Sequence, residues 1–362
     1  MVYTKSRRYK NGNKTKKHIQ TEPNELTVMS FNVELFLNLY DFTVKDDIIE
    51  SAEIVQSKLK RFKKLFANVD IACLQETYIP GVGVSMSDNT KELRMFDTRL
   101  RHLKIQDICR SHILDWENSI YLYGDPSYLA NAIYISDRVK TLPKIKTVDN
   151  ETSHKINKKG LERCYSIATV QVSGQHIKIV SVHLIGGRFD DAEAILDDTY
   201  YMEKLNQIKE VVSSASPDII CGDFNTKIRT PEIVVNNDEY FESILAKMHQ
   251  DTITPTSKTL YKTRWDKWIY MDDIHKYLKE SGYKSVYYSG NKNDILDTSI
   301  TDTSAFGGIV DMIYYKSDSL TMKPHSLSIV GDSVVMKKKL DTRIYTPVLS
   351  DHFPVKVSFE II

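Results

Sequence analysis

Residues 218 to 225 read Asp-Ile-Ile-Cys-Gly-Asp-Phe-Asn, and this stretch decides how the rest of the chain is interpreted. Its apolar run is typical of a short buried strand, which stops at Gly222 and is followed by Asp223 and Asn225. Period-two alternation predicts that these two polar side chains share one face at the end of the strand. A carboxylate and an amide placed in this way hold a water, a metal or a phosphoryl oxygen. An ordinary turn of Gly, Asp and Asn is the alternative.

Composition excludes several classes of protein. The chain has 362 residues, and its longest apolar stretches are strand-sized, far from the ~20 residues that a membrane-spanning helix needs. The N-terminus lacks the apolar segment of a signal peptide, so we expect a cytoplasmic or nuclear protein, and we expect a monomer. The four cysteines lack CxxC spacing, which favours reduced, structural thiols.

The first 23 residues are predicted to form a flexible tail. Residues 1–17 carry seven basic side chains and no acidic one, whereas the whole chain has a formal net charge of +1. The body is therefore mildly acidic. A basic tail adds affinity for nucleic acid or serves as a nuclear address, and a solubilising end is the alternative.

Strands and helices alternate along the remaining chain. This order predicts a mixed α/β layered domain spanning residues 24–362, with polar insertions at about 81–107 and 231–302. Apolar periodicity places strands at 26–33, 69–75, 131–136, 161–172, 176–184, 218–221, 309–315 and 355–361, and helices at 48–66, 192–213 and 268–281.

Five predicted strands finish on polar residues, and a sixth carries an aspartate within it. Strand ends gather on one rim of a sheet, so these side chains are expected to converge. Each has a structural alternative, such as a turn former, a helix cap, a core histidine or the partner of a nearby cation. The residues are Asn32, Glu76, His183, Asp223 with Asn225, Asp351 with His352, and Asp311.

Converging carboxylates favour a divalent cation at this rim. Without one they repel each other, and the pKa of each carboxyl rises. Oxygen ligands from Glu76, Asn32 and Asp351 suit Mg²⁺, with Mn²⁺ as a substitute. The close Cys or His spacing of a structural zinc site is absent from the sequence.

The two histidines suit the chemistry of a phosphate diester. His183 and His352 would donate to its oxygens, and Asp311 would hold His352 in one tautomer. Asp223 would orient or deprotonate the attacking water, and Asn225 would bind a phosphoryl oxygen.

These signatures resemble the endonuclease/exonuclease/phosphatase superfamily, which includes deoxyribonuclease I. They stand in the superfamily's order from about residue 24 to the C-terminus. The matching segments are Ser30-Phe-Asn32, Leu74-Gln-Glu76, Val182-His-Leu184, Gly222-Asp-Phe-Asn225, Val310-Asp311 and Ser350-Asp-His352.

The resemblance implies a four-layered α/β sandwich, with two packed mixed β-sheets flanked by helices, and a Mg²⁺-dependent phosphoester hydrolase with the roles given above. It also implies that Arg163 and Asn131 face the substrate phosphate, although Ala130 stands where several branches have glycine. His183 is similar to the histidine of the deoxyribonuclease I, sphingomyelinase and phosphodiesterase branches, which the apurinic endonucleases lack. Arg188 follows two glycines that allow close approach to a phosphate; a tight turn is the alternative.

The function hypothesis is a phosphodiesterase that acts on DNA or RNA, as a nuclease or an end-processing enzyme. The basic tail supports it, as do Tyr and Trp side chains between 261 and 288 that would stack on bases. Alternatives are an inositol-phosphate phosphatase, a sphingomyelinase-like phospholipase and a non-catalytic scaffold of the same fold.

Overall fold

The structure is a computed structural model of the whole chain. The predicted tail at 1–23, the insertion at 81–107 and most of the predicted helix at 48–66 lie outside the described residues, although Leu65 and Phe66 are helical. The structure describes residues 24–33, 65–66, 68–77, 130–136, 139–141, 146–149, 164–186, 198–228, 238–239, 241–242, 245, 255–270, 272–288, 303–304, 308–329, 350 and 352–362.

Within these residues, one sheet contains six strands. Their order is β11-β13-β1-β2-β3, and β12 pairs with β13. Strands β1 and β2 are parallel, whereas β13 and β3 run antiparallel to them on either side. The bounds are β1 (Glu25–Asn32), β2 (Ile71–Thr77), β3 (Ala130–Ile135), β11 (Leu320–Met322), β12 (Ser328–Ile329) and β13 (Val355–Ile361).

The second sheet contains seven strands in the described part of the chain. Their order is β4-β6-β7-β8-β10-β9, and β5 pairs with β6. Strands β6 and β7 form the predicted hairpin, β7 and β8 are parallel, and β10 is antiparallel to β8. The bounds are β4 (Lys140–Thr141), β5 (Lys146–Asp149), β6 (Cys164–Val172), β7 (Gln175–His183), β8 (Ile219–Asp223), β9 (Tyr283–Ser285) and β10 (Asp311–Lys316).

Burial explains why the central strands have unbroken apolar runs. Every residue of β8 is buried, as expected for a strand that is covered on both faces. Strand β13 instead alternates between buried and partly exposed residues over most of its length, because only one of its faces is covered. Cys73 and Cys221 are buried free thiols, as predicted.

The two sheets pack face to face. Strands β1, β2 and β3 contact β8, β7 and β6 across the interface. Helix α1 (Asp198–Ala215) adds its apolar stripe to the same core. The predicted α/β sandwich of two packed mixed sheets flanked by helices is therefore confirmed. The buried residues of the α1 stripe are Tyr201, Leu205, Ile208, Val211 and Ala215.

The predicted helix at 268–281 is wrong in extent. The structure has two helices there, α2 (Pro255–Tyr270) and α3 (Asp272–Glu280). The side chains at 258–260, in the first half of α2, are exposed, and its buried residues lie between 265 and 270, so the apolar pattern showed only the second half of the helix. The expected stop at Gly282 is confirmed, since its φ of 87° suits glycine after a helix. None of the described helices is long and apolar enough to cross a bilayer.

Candidate active site

The predicted polar residues meet at one rim of the sandwich because of strand direction. Asn32, His183 and Asp223 are the last residues of β1, β7 and β8. Asp311 opens β10 and lies opposite Asp223 in the antiparallel pair, and His352 precedes β13. Asp311 therefore lies in the predicted strand, at its start, and the starts of the antiparallel strands β10 and β13 reach the same rim as the ends of β1, β7 and β8.

A β-bulge places Glu76. Pairing between β2 and β3 shifts between Leu74 and Thr77, so that two residues of β2 stand opposite one of β3, Asn131. Glu76 has a φ of 54°, a left-handed conformation that is uncommon for a non-glycine residue. Bulges re-aim side chains at the ends of sheets. This one leaves the Glu76 side chain 21% exposed, whereas the preceding residue, Gln75, is buried.

The Asn32 side chain joins the two sheets at the rim. Its Nδ2 donates to Glu76 Oε1 at 3.1 Å and to Asp223 Oδ2 at 3.1 Å. One amide therefore holds a carboxylate from each sheet. The sequence predicted the convergence of these three residues, and the structure brings them together.

Two imidazoles flank the Asp223 carboxylate. His183 Nε2 lies 3.6 Å from Asp223 Oδ2 and 3.8 Å from Glu76 Oε1. His352 Nε2 lies 3.8 Å from the same Asp223 oxygen. These separations are slightly longer than hydrogen bonds.

A buried carboxylate holds the second imidazole. Asp311 Oδ2 lies 2.9 Å from His352 Nδ1, as the sequence predicted for this pair. Burial raises the pKa of Asp311 to about 6, and the nearby His352 partly offsets that rise. The contact places the Nδ1 proton toward Asp311 and leaves Nε2 facing Asp223.

A turn, and not strand alternation, places Asn225. Strand β8 ends at Asp223, and Asn225 has a φ of 49°. Its backbone N–H donates to Asp223 Oδ1 at 2.8 Å, and its side-chain Nδ2 donates to Leu184 O at 3.0 Å. The period-two prediction for this pair is therefore wrong in its reason, because the chain leaves the strand before Asn225. Its expected contact with a phosphoryl oxygen stays a prediction.

Two solved structures share this architecture. An endonuclease/exonuclease/phosphatase from Beutenbergia cavernae is 13% identical, with a TM-score of 0.50, over 93% of this chain and 72% of that one. The endonuclease/exonuclease/phosphatase from Bacteroides vulgatus is also 13% identical, with a TM-score of 0.50, over 93% of this chain and 99% of that one. The chain has the endonuclease/exonuclease/phosphatase fold. No family model and no curated protein sequence matches it.

Of four further predicted site residues, the structure describes only Asn131. Asn131 is fully buried opposite the bulge, and its carbonyl accepts from Ser166 Oγ at 3.1 Å. Its expected contact with substrate phosphate is not tested by this geometry. Arg163, Arg188 and Asp351 lie outside the described residues.

The donor chemistry at the rim fits a hard divalent cation. Glu76 and Asn32 offer oxygen ligands, and a second carboxylate, that of Asp223, accepts from the same Asn32 amide. Oxygen donors of this kind suit Mg²⁺ or Mn²⁺. Among the described residues, no group of three or more His, Cys, Asp or Glu side chains is spaced to hold a metal by itself. A complete ligand set would therefore need Asn32 and the predicted Asp351.

Supporting residues at the rim went unpredicted. Ser350 Oγ donates to Asn32 O at 2.7 Å and accepts from His352 N at 3.1 Å, which ties the histidine to the end of β1. Thr303 Oγ1 accepts from Asp311 N at 3.1 Å. Serine and threonine are common in loops, so the sequence carries no signal for these two roles.

Gln75 did carry a signal, because it is a polar residue inside an apolar strand run. It is fully buried, and its Nε2 donates to Ser181 Oγ in the opposite sheet at 3.0 Å. This contact joins β2 to β7, one residue before Glu76 and two residues before His183 in the sequence.

The Tyr and Trp side chains between 261 and 288 were expected to stack on bases, and the structure corrects this expectation for most of them. Most of these rings belong to the hydrophobic core of the described residues. Tyr261, Tyr277 and Tyr288 are only partly buried, but they too pack on the core. The buried rings are those of Trp265, Trp268, Tyr270, Tyr283 and Tyr287.

Proposed function

We propose that this protein is a Mg²⁺-dependent phosphodiesterase that hydrolyses nucleic acid. The observation that carries the proposal is the Asp223 carboxylate, held between His183 and His352 at 3.6 and 3.8 Å. Both sheets bring acid and base groups within reach of one point on the rim.

In this proposal Asp223 orients and deprotonates the attacking water. Asn225 N and Asn32 Nδ2 each hold one of its carboxylate oxygens, which fixes the direction of the carboxylate. A positioned general base typically gives about 10²- to 10⁴-fold acceleration.

The histidines would bind and neutralise the phosphate. Asp311 favours the protonated imidazole of His352, whose Nε2–H then points into the site. His183 Nε2 faces the same space from β7. Donors aimed at oxygens that gain charge in the transition state stabilise that state more than the substrate.

Glu76 and Asn32, together with Asp351, would hold the Mg²⁺. When bound, the ion would supply positive charge to the phosphate oxygens. The Glu76 side chain is the more exposed of the two described carboxylates that contact Asn32, which suits a ligand that shares its cation with substrate.

The basic segment at residues 1–17 supports nucleic acid as the substrate. Lys and Arg side chains neutralise backbone phosphates and make binding salt-dependent. Because Trp265, Trp268 and Tyr270 of α2 are buried, these rings give no support to base stacking.

A substrate panel tests the proposal. Wild-type protein is incubated with single- and double-stranded DNA, RNA, inositol phosphates, sphingomyelin and bis(p-nitrophenyl) phosphate, with Mg²⁺ or with EDTA. We expect Mg²⁺-dependent cleavage of nucleic acid, and we expect none from an Asp223→Ala preparation that controls for contaminating nucleases. Hydrolysis of only inositol phosphates or sphingomyelin would overturn the substrate class, and no hydrolysis of any member would overturn the enzyme.

A further inference from the structure

Lys204 lies where an apolar residue is expected. It follows Tyr201 by three positions and precedes Ile208 by four, within the buried stripe of α1. Its side chain is only 1% exposed. Lysine is rarely buried to this extent, because an ammonium group loses its hydration unless hydrogen bonds replace it.

The Lys204 ammonium contacts the turn that holds the proposed base. Nζ donates to Asn225 O at 2.6 Å. The N–H of the same Asn225 donates to Asp223 Oδ1 at 2.8 Å. Lys204 therefore holds the carbonyl of Asn225, and the N–H of Asn225 holds the Asp223 carboxylate.

The turn needs such support because its backbone is strained. Asn225 has a left-handed φ of 49°, which asparagine tolerates better than most residues but still at some energetic cost. A charge-assisted hydrogen bond to its carbonyl is stronger than a neutral one. The contact offsets the strain and opposes rotation of the peptide out of this conformation.

The next turn of the helix holds the neighbouring loop in the same way. Gln207 Oε1 accepts from Ile185 N at 3.2 Å, two residues after His183. Asn225 Nδ2 closes the arrangement by donating to Leu184 O at 3.0 Å. Helix α1 thus contacts both loops that leave the rim ends of β7 and β8.

We propose that Lys204 is a positioning residue that sets the orientation of the Asp223 carboxylate through the backbone of Asn225. This inference rests on the proposed role of Asp223 as the base. The expected consequence falls mainly on turnover, since loss of the contact would let Asp223 turn from the two imidazoles, while His183 and His352, which are proposed to bind the phosphate, keep their places.

The same helix offers a matched control. At its other end Lys178 Nζ donates to Ala215 O at 2.7 Å, a hydrogen bond of the same kind far along β7 from His183. Lys178→Met removes that contact without touching the rim. A role limited to stability would give both lysine variants the same phenotype.

The test compares Lys204→Met with Lys178→Met in two measurements. We expect kcat on bis(p-nitrophenyl) phosphate with Mg²⁺ to fall about 10- to 100-fold in Lys204→Met with little change in KM, and to stay at the wild-type value in Lys178→Met. Amide hydrogen exchange at Asn225 should become faster only in Lys204→Met. Equal loss of kcat in both variants, or an unchanged kcat and unchanged exchange in Lys204→Met, would overturn the inference.

The exchange measurement keeps this inference separate from the proposed function. If the wild type hydrolyses nothing, the proposed function fails, while exchange at Asn225 still decides whether Lys204 holds the turn. If Lys204→Met does not fold, Lys204→Gln replaces it, because its side chain is one bond shorter and carries no charge. A folded Lys204→Gln with wild-type kcat and exchange would equally overturn the inference.

Discussion

The two parallel strand pairs, β1 with β2 and β7 with β8, are alike at one end and different at the other. We call the end at the rim the tip of the pair, and the opposite end its base. At each base an aspartate precedes the second strand and accepts from a backbone N–H of the first. Asp70 Oδ2 accepts from Thr27 N at 2.9 Å, and Asp218 Oδ2 accepts from Lys178 N at 2.7 Å. The return contacts match as well, with Asp70 N to Thr27 O at 2.9 Å and Asp218 N to Lys178 O at 2.8 Å.

The tips carry different chemistry on this shared frame. The first pair ends in an amide and a carboxylate, Asn32 and Glu76, and the second in an imidazole and a carboxylate, His183 and Asp223. The carboxylates of Asp70 and Asp218 accept from a backbone N–H of the neighbouring strand. The carboxylates of Glu76 and Asp223 instead contact the side chains of Asn32 and His183 across the rim. The same backbone arrangement therefore places a different set of side chains at the rim in each pair. The side chains at the tips distinguish the proposed metal-binding half of the site from the proposed proton-transfer half.

The largest expected effect comes from neutralising the tip of the first pair. Glu76→Gln keeps the size of the side chain but removes the charge that would hold Mg²⁺, so kcat on a phosphodiester should fall about 10³-fold. Steady-state kinetics across a Mg²⁺ titration measures it. Asp70→Asn, at the base of the same pair, should keep the wild-type kcat; a Glu76→Gln enzyme as active as Asp70→Asn would remove the distinction between base and tip.

The second pair depends on a glycine just below its tip. A Cβ added to Gly222 would lie 1.9 Å from Val182 O in the neighbouring strand, so β7 and β8 would have to separate. Gly222→Ala should lower the free energy of unfolding by about 3 kcal/mol or more, measured by urea denaturation.

The hairpin turn supplies the control for that substitution. Gly174 has a φ of 78°, and an added Cβ would meet no described atom within 4 Å. Gly174→Ala should therefore cost only about 1 kcal/mol, from backbone strain alone. Equal losses in the two variants would show that strand approach at Gly222 is not the cause.

The buried pair behind the second tip predicts a pH dependence. Because burial raises the pKa of Asp311 to about 6, the carboxylate is ionised above that pH and protonated below it. Protonation removes the charge that favours the His352 imidazolium, so kcat/KM should fall as pH drops through about 6. Asp311→Asn should lower activity about 10- to 100-fold and remove this acidic limb. A limb that persists unchanged in Asp311→Asn would have to come from another group.

The smallest effect is expected at the two bases. Asp70→Ala and Asp218→Ala each remove a carboxylate that accepts from a backbone N–H, which should lower the free energy of unfolding by about 1–2 kcal/mol. Denaturation and kinetics are measured on the same samples. Reduced stability with a normal kcat would show that Asp70 and Asp218 have a structural role. A loss of kcat in the folded variants would instead show that these residues contribute to the site.

The sequence predicted the central strands because burial on both faces leaves long apolar runs, as in β8. It also predicted which polar residues reach the rim, since each of Asn32, Glu76, His183 and Asp223 interrupts or ends such a run. It missed strands of two to four residues, which are too short to show a period, and the first turns of α2.

Irregular backbone explains two features that the sequence did not predict. Where the backbone is irregular, the spacing of residues in the sequence does not predict the direction in which their side chains point. The bulge at Glu76 and the left-handed turn at Asn225 are of this kind. Lys204 was readable in principle, because a lysine within the apolar stripe of α1 departs from the pattern around it, but its partner Asn225 O could not be inferred from the sequence.

The most direct measurement of the central claim compares two aspartates five residues apart. Asp218→Asn and Asp223→Asn each replace a carboxylate by an amide, the first just before β8 and the second at its rim end. The kcat on a phosphodiester with Mg²⁺ is measured for both variants. We expect a loss of about 10² to 10⁴ for Asp223→Asn and a wild-type value for Asp218→Asn. Equal activity in the two folded variants would contradict the account, because the rim would then not be the site of hydrolysis.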